Sequence, residues 1–308
     1  MLAAPGFHHL HLNTVDPEAA IAFYLRRFPD TTARTTWGGS PAVRAVTNVL
    51  ILFTQVEAPP PTAPQTALWH FGWHVTDTHQ TMRRLHAQDE VTLLPLYTGD
   101  GGGSVHVSSD TWPGANGLLG RSLPEIAEAK ATGVQPVRSG GFGYIAGPDG
   151  AIVEYAGNQP VERFNHVHMY QDDPHCAQLW YQTHLNAPLI EGRSITSIPA
   201  DDCVVPRAVD RTFPALEPQG MYRAPSSAVE FDDVAFYWYV RPGDEPLAPS
   251  QGHVSDHVAL SVEDLDAWRE KLRGEGVTLL HDTYALGDTR ALMIEGPSRE
   301  AIELVEVR

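Results

Sequence analysis

The sequence predicts an α+β fold built from four copies of one unit, in which a strand is followed by a helix and then by several strands. Two observations indicate this fold: a residue pattern that recurs four times, and the apolar or alternating runs in which each copy begins. The pattern is a histidine, six residues and an aspartate, and its copies are His9/Asp16, His70/Asp77, His166/Asp173 and His257/Asp264.

Each copy of the pattern predicts where a strand and a helix begin. The histidines lie in runs such as residues 7–12 and 257–262, which are typical of strands. Each aspartate is expected to be a helix N-cap, and in the first and third copies the favoured first helical residue follows, as Pro17 and Pro174. These two copies lie 157 residues apart, and both helices reach an aromatic pair, so the chain is predicted to be duplicated.

The duplication divides the chain near residues 157–162 into two halves of two units each. We therefore expect an N-terminal module at residues 1–160 and a C-terminal module at residues 161–308. Irregular composition predicts three long loops, at residues 57–64, 99–120 and 187–225.

Composition limits the classes of partner. The chain has 308 residues and a formal net charge of −17 without a basic patch, which argues against nucleic acid. No apolar run is long enough to span a membrane, and residues 1–7 lack the features of a signal peptide. We expect a cytoplasmic protein that binds a small molecule rather than nucleic acid or a membrane, and a homo-oligomeric state is left open.

Histidines outnumber cysteines by 15 to 2, so a metal here is expected to have nitrogen and oxygen ligands rather than sulfur. Cys176 and Cys203 could pair only with each other, which argues neither for a disulfide framework nor for a thiolate zinc site. Cys176 lies in a predicted helix and is expected only to pack there.

Each half ends with a glutamate at the same spacing from a Gly-Pro pair. Gly147-Pro148 precedes Glu154, and Gly296-Pro297 precedes Glu303. Both glutamates have apolar strand neighbours, and a carboxylate in such surroundings is costly to bury unless it is paired or bound to a metal.

The repeated histidines and glutamates predict two sets of metal ligands, one in each half: His9, His70 and Glu154, and then His166, His257 and Glu303. Two neutral imidazoles and one carboxylate are the ligands of the facial triad of non-haem Fe(II) oxygenases. Iron is therefore favoured, although Mn, Zn, Ni or Co could bind the same residues. A single histidine in a strand is more often a packing residue than a ligand. Repetition at matched positions favours ligands here. One of the two sets could still be inherited from the duplication and line a cavity without function.

With these motifs, the chain resembles the vicinal oxygen chelate superfamily, the fold of glyoxalase I, bleomycin-resistance proteins and extradiol dioxygenases. The resemblance covers almost the whole chain and implies four βαβββ units forming two modules, each a curled mixed β-sheet cup flanked by helices. Four units in one chain are most similar to extradiol ring-cleaving dioxygenases, whose ligands would correspond to His166, His257 and Glu303. The N-terminal pair is usually metal-free in those enzymes, whereas this chain keeps a complete set there.

Two departures from the family leave the reaction open. The tyrosine that extradiol enzymes place ahead of the glutamate is matched by Tyr144 in the first half, but Met293 stands at that offset in the second. Residues 49–52 and 234–237 offer no carboxylate where glyoxalase I has one, which disfavours a glyoxalase-type shell of four ligands.

Further residues are candidates for handling protons or substrate. His11 and His168 lie two residues after their ligand histidines, so on a strand they are expected to point into the same cavity and to move a proton, or else only to support a ligand. His281 and Tyr284 are candidates for orienting substrate in the second half. His106 and Trp112 are candidates in the first half.

Three functions remain open from the sequence. The first is a divalent-metal dioxygenase acting on a small aromatic or other substrate with neighbouring oxygens. The second is a metal-dependent isomerase or lyase of the glyoxalase type, which needs no dioxygen. The third is an antibiotic-binding resistance protein without catalysis, which the two ligand sets count against.

Overall fold

A computed structural model describes residues 2–45, 49–94, 142–157, 159–199, 201–205, 225–241 and 244–307, with short pieces at 96–97, 103–104, 106–107, 128, 131–132, 215–217 and 220–222. Across these residues each unit follows the predicted order of strand, helix and several strands. The predicted α+β class is confirmed.

The bounds of the elements are as follows. The first unit contains β1 (Gly6–Thr14), α1 (Pro17–Arg27), β2 (Thr32–Trp37), β3 (Ser40–Ala45) and β4 (Leu50–Gln55). The second contains β5 (Leu68–His74), α2 (Thr78–His86), β6 (Leu93–Leu94), β7 (Leu96–Tyr97), β8 (Gly103–Ser104), β9 (His106–Val107), β10 (Phe142–Ala146) and β11 (Ile152–Ala156). The third contains β12 (Arg163–Gln171), α3 (Pro174–Leu185), β13 (Ala215–Glu217), β14 (Gly220–Tyr222), β15 (Ser226–Phe231) and β16 (Val234–Val240). The fourth contains β17 (Ser255–Val262), α4 (Leu265–Gly274), β18 (Leu279–Leu286), β19 (Thr289–Glu295) and β20 (Ala301–Glu306).

The four aspartates of the repeat all lie at helix N-caps, as predicted. Asp16, Asp77 and Asp264 each accept a hydrogen bond from the backbone N–H three residues further on, at 3.0, 2.8 and 2.9 Å. Asp173 differs, because its Oδ1 accepts from the backbone N–H of Val205 at 3.3 Å. In the third unit the capping aspartate therefore holds a loop against the helix.

The sheets join the units across the midpoint of the chain. An eight-stranded sheet has the order β18-β19-β20-β17-β1-β4-β3-β2, and a seven-stranded sheet has the order β15-β16-β12-β5-β11-β10-β6. β1 pairs antiparallel with β17, and β12 pairs antiparallel with β5. The first unit thus shares a sheet with the fourth, and the second with the third, so the predicted pairing of units within residues 1–160 and within residues 161–308 is wrong.

The physical reason lies in the free edges of the opening strands. The opening strand of a unit pairs in parallel with its own closing strand, as β1 does with β4 and β17 with β20. Its other edge must find a partner, and the opening strand of any other unit offers a similar edge. The repeat pattern shows which segments are alike but leaves this choice of partner open.

One continuous apolar core includes buried side chains from both large sheets. Phe7 of the first unit stacks on Phe164 of the third with ring centroids 6.0 Å apart, and Phe28 stacks on Trp73 of the second unit at 4.0 Å. Units that share no sheet are therefore joined through aromatic packing. This packing fixes the position of one cup against the other.

The two cysteines form a disulfide bond between Cys176 of α3 and Cys203. The expectation that Cys176 only packs in its helix is wrong, because the loop after α3 returns to the helix and places Cys203 beside it. None of the helices in the described part of the chain is long and apolar enough to cross a membrane.

Two candidate metal centres

A β-bulge precedes each of the four repeated histidines. The ladder between β1 and β17 skips His8 and Asp256, and the ladder between β5 and β12 skips Trp69 and Asn165. An extra residue in a strand breaks the alternation of side chains, so that neighbouring residues share a face. The residue before each histidine is thereby brought to the histidine ring.

The eight-stranded sheet carries one cluster, which we call the terminal centre: His9, His11, His257 and Glu303. His9 Nε2 lies 3.4 Å from Glu303 Oε2, and His257 Nε2 lies 3.8 Å from the same oxygen. His9 and Glu303 are the register partners of Ala259 on its two sides. Three strands, β1, β17 and β20, therefore bring buried ligand-type atoms to one point.

The seven-stranded sheet carries the second cluster, the middle centre: His70, Glu154, His166 and His168. The Oε2 atom of Glu154 is 2.6 Å from His70 Nε2, 3.3 Å from His166 Nε2 and 3.9 Å from His168 Nδ1. Gly72 is the register partner of both Glu154 and His166. A Cβ atom on Gly72 would lie 2.7 Å from His166 Nε2 and 2.8 Å from Glu154 Cβ, so the middle centre requires glycine here.

The structure regroups the predicted ligand sets. The grouping of His9 with His70 and Glu154 is wrong, as is that of His166 with His257 and Glu303, because the units pair across the midpoint. Each of the six residues nevertheless lies in one of the two centres, in sets of two histidines and one glutamate. Their role as metal ligands stays a prediction.

Three of the four histidines have their Nδ1 atoms held by the bulge residue before them. His166 Nδ1 is 2.7 Å from Asn165 Oδ1, and His257 Nδ1 is 2.6 Å from Asp256 Oδ1. Both oxygens can only accept, so each histidine donates from Nδ1 and turns Nε2 towards the glutamate. His9 Nδ1 shares a 2.8 Å hydrogen bond with His8 Nδ1.

Unpartnered buried atoms show that the centres suit a cation. The Nε2 atoms of His9, His166 and His257 and the Oε2 atom of Glu303 are buried without a hydrogen-bond partner among the described residues. Buried polar atoms are rarely left so, because the loss of hydration is not compensated. A divalent ion at each centre would satisfy these atoms together, and the ligand atoms of His9, His11 and His257 lie within 4.8 Å of one another, as do those of the middle centre.

Burial keeps most of the histidines neutral, which is the form that binds metal. It lowers the pKa of His9 and His168 well below the ordinary value and that of His11 to about 4. His257 is the exception. Burial opposes its charge, but the hydrogen bond to Asp256 and the charge of the nearby Glu303 carboxylate raise its pKa to about 9.

Both glutamates are held in the ionised form. Burial favours protonation of Glu154, but His166 and His70 outweigh it and bring its pKa well below the ordinary value. Burial likewise favours protonation of Glu303, but His257 and Tyr284 outweigh it and lower its pKa. Each centre therefore offers one carboxylate charge to a cation.

A tyrosine lies beside each glutamate, but on different strands. Tyr284 of β18 donates a hydrogen bond to Glu303 Oε1, which leaves Oε2 facing the histidines. Tyr144 of β10 stands opposite Glu154 in the ladder, and the Glu154 charge acts on its hydroxyl. Met293 occupies the matching ladder position opposite Glu303, so the terminal centre obtains its hydroxyl from the neighbouring strand.

The other predicted residues take separate places. His11 hydrogen-bonds Thr54 Oγ1 at 2.8 Å and stacks on His257 with ring centroids 4.4 Å apart. The His168 ring lies 4.4 Å from that of His70. His281 is exposed on β18, with its ring 6.3 Å from that of Tyr284, and does not join the ligand cluster.

The side chain of His106 and all of Trp112 lie outside the described residues. Sequence reasoning missed the bulge residues and Gly72. The available signal was position, because each bulge residue directly precedes a repeated histidine. Strict strand alternation places such a neighbour on the opposite face, so position alone predicts no contact with the histidine.

The positively charged side chain of Arg193 belongs to the loop after α3. Arg193 is exposed, and its charge acts on His168 and Tyr237 at the middle centre. Burial is the main cause that lowers the pKa of His168, and the Arg193 guanidinium contributes in the same direction. Burial raises the pKa of Tyr237, and the Arg193 charge acts to lower it.

Comparison with known proteins supports the fold. No protein-family model and no curated protein sequence matches this chain. Glyoxalase I from Zea mays matches with a TM-score of 0.62 and 13% sequence identity, covering 98% of this chain and 92% of that one. A putative dioxygenase from Bacillus subtilis matches with a TM-score of 0.59 and 8% identity, covering 99% and 86%. The four paired units, their order and these structural matches show that the chain has the same fold as these two proteins.

Proposed function

We propose that the chain is a metal-dependent enzyme in which each centre binds one divalent ion through two histidines and a glutamate. The observation that carries the proposal is the group of buried, unpartnered atoms in the terminal centre, Nε2 of His9, Nε2 of His257 and Oε2 of Glu303. Both Nε2 atoms lie within 3.8 Å of Glu303 Oε2, and the carboxylate is ionised, so the group suits a divalent cation. The metal is open between Fe(II), which we favour, and Mn, Zn, Ni or Co.

The reaction that we favour is an extradiol-type dioxygenation of a small aromatic substrate or one with neighbouring oxygens. Two histidines and one carboxylate leave several coordination positions free for substrate and dioxygen. When bound, the ion would supply Lewis acidity and a template for both reactants. Aromatic rings of Trp69, Tyr144 and Tyr237 stand beside the histidines of the middle centre and suit an aromatic ligand.

The remaining residues of each centre would handle protons and hold the carboxylate. His11 and His168 are neutral and adjoin the ligands, so each can accept a proton from a substrate hydroxyl oxygen and return it. Tyr284 fixes Glu303 by a hydrogen bond, and Tyr144 lies opposite Glu154 in the ladder. The buried strand residues around them exclude water from the ligand atoms.

A metal-dependent isomerase or lyase is the second candidate, and one contact favours it. His168 Nδ1 is 3.9 Å from Glu154 Oε2, close enough for His168 to be a fourth ligand in the middle centre. A fourth protein ligand would close a position that dioxygen needs. The sequence offers no carboxylate as a fourth ligand of the glyoxalase type. His168 would supply the fourth ligand instead.

Elemental analysis after gentle purification tests the metal-dependent function. We expect two divalent ions per chain, with one lost in Glu154→Ala and one in Glu303→Ala, because each variant removes the carboxylate ligand of its cluster. Glu18→Ala, on the exposed side of α1, is the matched control. Absence of metal from the wild type, with no effect of either variant on metal uptake, would leave only the binding protein without catalysis.

Oxygen consumption separates the two reactions. We expect the iron-loaded protein to consume dioxygen with at least one member of a broad panel of catechols. No uptake with any catechol, from protein that retains its iron, would refute the dioxygenase and leave the isomerase or lyase.

A further inference from the structure

The four bulge residues differ in what they offer to the histidine that follows. His8, Asn165 and Asp256 each place a polar atom on Nδ1, whereas Trp69 places an indole beside His70 with ring centroids 4.2 Å apart. Among the three polar residues, Asp256 is the acidic one. The terminal centre thus contains an aspartate–histidine pair at the position where the middle centre contains Trp69.

Asp256 is itself fixed in place. Its Oδ2 accepts a hydrogen bond from the backbone N–H of Gly252 at 2.7 Å and from Asn13 Nδ2 at 3.0 Å. Its Oδ1 is thereby left for His257, and the Asp256 side chain is only 16% exposed. Asp256 therefore sets the orientation of the His257 ring through Nδ1, independently of Glu303.

His70 lacks such support. Its Nδ1 is buried without a hydrogen-bond partner among the described residues. Its Nε2 is hydrogen-bonded to Glu154 Oε2 at 2.6 Å, so the ring is oriented by its own co-ligand. To bind a cation, His70 must give up the contact that orients it.

On the basis of the proposed metal-dependent function, we propose that Asp256 is a positioning residue for His257 and makes the terminal centre the tighter of the two divalent-ion sites. A carboxylate on the far nitrogen of a ligand histidine fixes the ring and increases its basicity towards the metal. Its negative charge also favours a cation nearby. Loss of such a partner typically weakens metal binding about 10- to 100-fold.

The test uses full-length chains that each retain one centre. Glu154→Ala leaves the terminal centre, Glu303→Ala leaves the middle centre, and Zn²⁺ affinity is measured by competition with a chromogenic chelator. We expect Zn²⁺ to bind the terminal centre at least about tenfold more tightly. Adding Asp256→Ala should weaken the terminal centre about 10- to 100-fold, and Asp256→Asn, which keeps an acceptor oxygen, should weaken it less.

Asp282→Ala in the Glu154→Ala chain is the matched control. It removes an exposed aspartate of β18 that pairs with Arg269 and not with a ligand histidine, so Zn²⁺ affinity should stay within a few-fold. Equal Zn²⁺ affinity of the two centres would overturn the proposal. So would unchanged affinity in both Asp256 variants when circular dichroism shows them folded.

A metal-free measurement separates this proposal from the proposed function. In metal-free protein with ¹⁵N-labelled histidine, we expect an NMR signal from a hydrogen-bonded His257 Nδ1 proton that exchanges slowly and is lost in Asp256→Ala. If neither single-centre chain binds Zn²⁺, the metal-dependent function fails, and the loss of this proton signal in Asp256→Ala still supports the positioning role. Absence of the signal from the wild type would overturn it.

Discussion

The terminal and middle centres place the same ligand types on the same strands of a repeated unit, yet they differ in the residues around the ligands. Ala259 lies between His9 and Glu303 in the terminal centre, whereas Gly72 lies between His166 and Glu154 in the middle centre. The duplicated backbone keeps two histidines and a glutamate together in both. The small residue between them, the bulge residue and the tyrosine vary, so these neighbours are where the two centres can differ in affinity and chemistry.

The largest expected effect is that of Gly72→Ala. A Cβ at this position would lie 2.6 Å from the carbonyl oxygen of Glu154 and 2.7 Å from His166 Nε2, so the ligands must move apart. We expect the middle centre to lose about 100-fold in metal affinity, the order of cost that a displacement of about 1 Å causes at a preorganised site. Elemental analysis should then find one ion per chain instead of two.

Ala259→Gly is the control for this prediction. It removes a Cβ that the terminal centre already accommodates, so two ions per chain should remain. Retention of both ions by Gly72→Ala, at wild-type affinity, would show that the glycine does not limit the middle centre.

A second difference between the halves concerns a buried carboxylate. Glu300 accepts hydrogen bonds from the Tyr181 hydroxyl at 2.9 Å and from Gln171 Nε2 at 2.8 Å. The matching residues of the first half are Tyr24, whose hydroxyl has no partner among the described residues, and Ala151. Glu300→Ala should lower the free energy of unfolding by about 1–3 kcal/mol, because three buried donors lose their acceptor, the third being the Ser298 backbone N–H. Urea unfolding of the folded variant measures this loss, and an unchanged value would contradict it.

The same glutamate gives a pH dependence of stability. Burial is the main cause that raises the pKa of Glu300 above its ordinary value of 4.5, so the folded chain holds this proton more tightly than the unfolded chain does. The resulting contribution to stability is complete below pH 4.5 and is lost as the pH rises through the folded value. The free energy of unfolding of the wild type should therefore fall relative to that of Glu300→Gln between pH 4.5 and neutral pH. A difference that stays constant with pH would contradict the raised pKa.

The sequence predicts the repeat well because each unit contains its own local signals. Asp16, Asp77 and Asp264 cap helices through side-chain hydrogen bonds that depend only on neighbouring residues, and the ligand residues stand out by their matched spacing. The pairing of β1 with β17 joins segments about 250 residues apart, for which no local signal exists. For the same reason the sequence predicts the six candidate ligands but assigns them to the two sets wrongly.

The bulges show a second limit of sequence reasoning. Alternation predicts that Asp256 and His257 point to opposite faces of β17, whereas the skipped register lets Asp256 reach His257 Nδ1. Gly72 is informative only once Glu154 and His166 are known to lie on either side of it. Such residues are defined by their cross-strand partners, which a single strand does not contain.

The tyrosines offer a smaller test of the same comparison. Tyr284→Phe removes the hydroxyl that donates to Glu303 Oε1, and Tyr144→Phe removes the hydroxyl of the residue opposite Glu154 in the ladder. Tyr284→Phe should weaken metal binding about tenfold at the terminal centre, since a hydrogen bond to a charged group contributes about 1.5–3 kcal/mol and water replaces part of it. Tyr144→Phe should weaken the middle centre less, and each variant should leave the other centre unchanged. Chelator competition in chains that retain one centre measures both. An effect of Tyr284→Phe on the middle centre would contradict the independence of the two.

The smallest expected effect concerns Arg193, whose charge acts on His168 and Tyr237 of the middle centre. Arg193→Gln should weaken binding of a carboxylate-bearing catechol roughly two- to fivefold, as expected for an exposed charge pair, without changing binding of the uncharged catechol. Calorimetry at low and high salt measures this, and the difference should disappear at high salt because screening removes it. Arg44→Gln, on β3 of the other sheet, is the matched control. Equal losses for both catechols would show that Arg193 acts on the shape of the cup rather than through its charge.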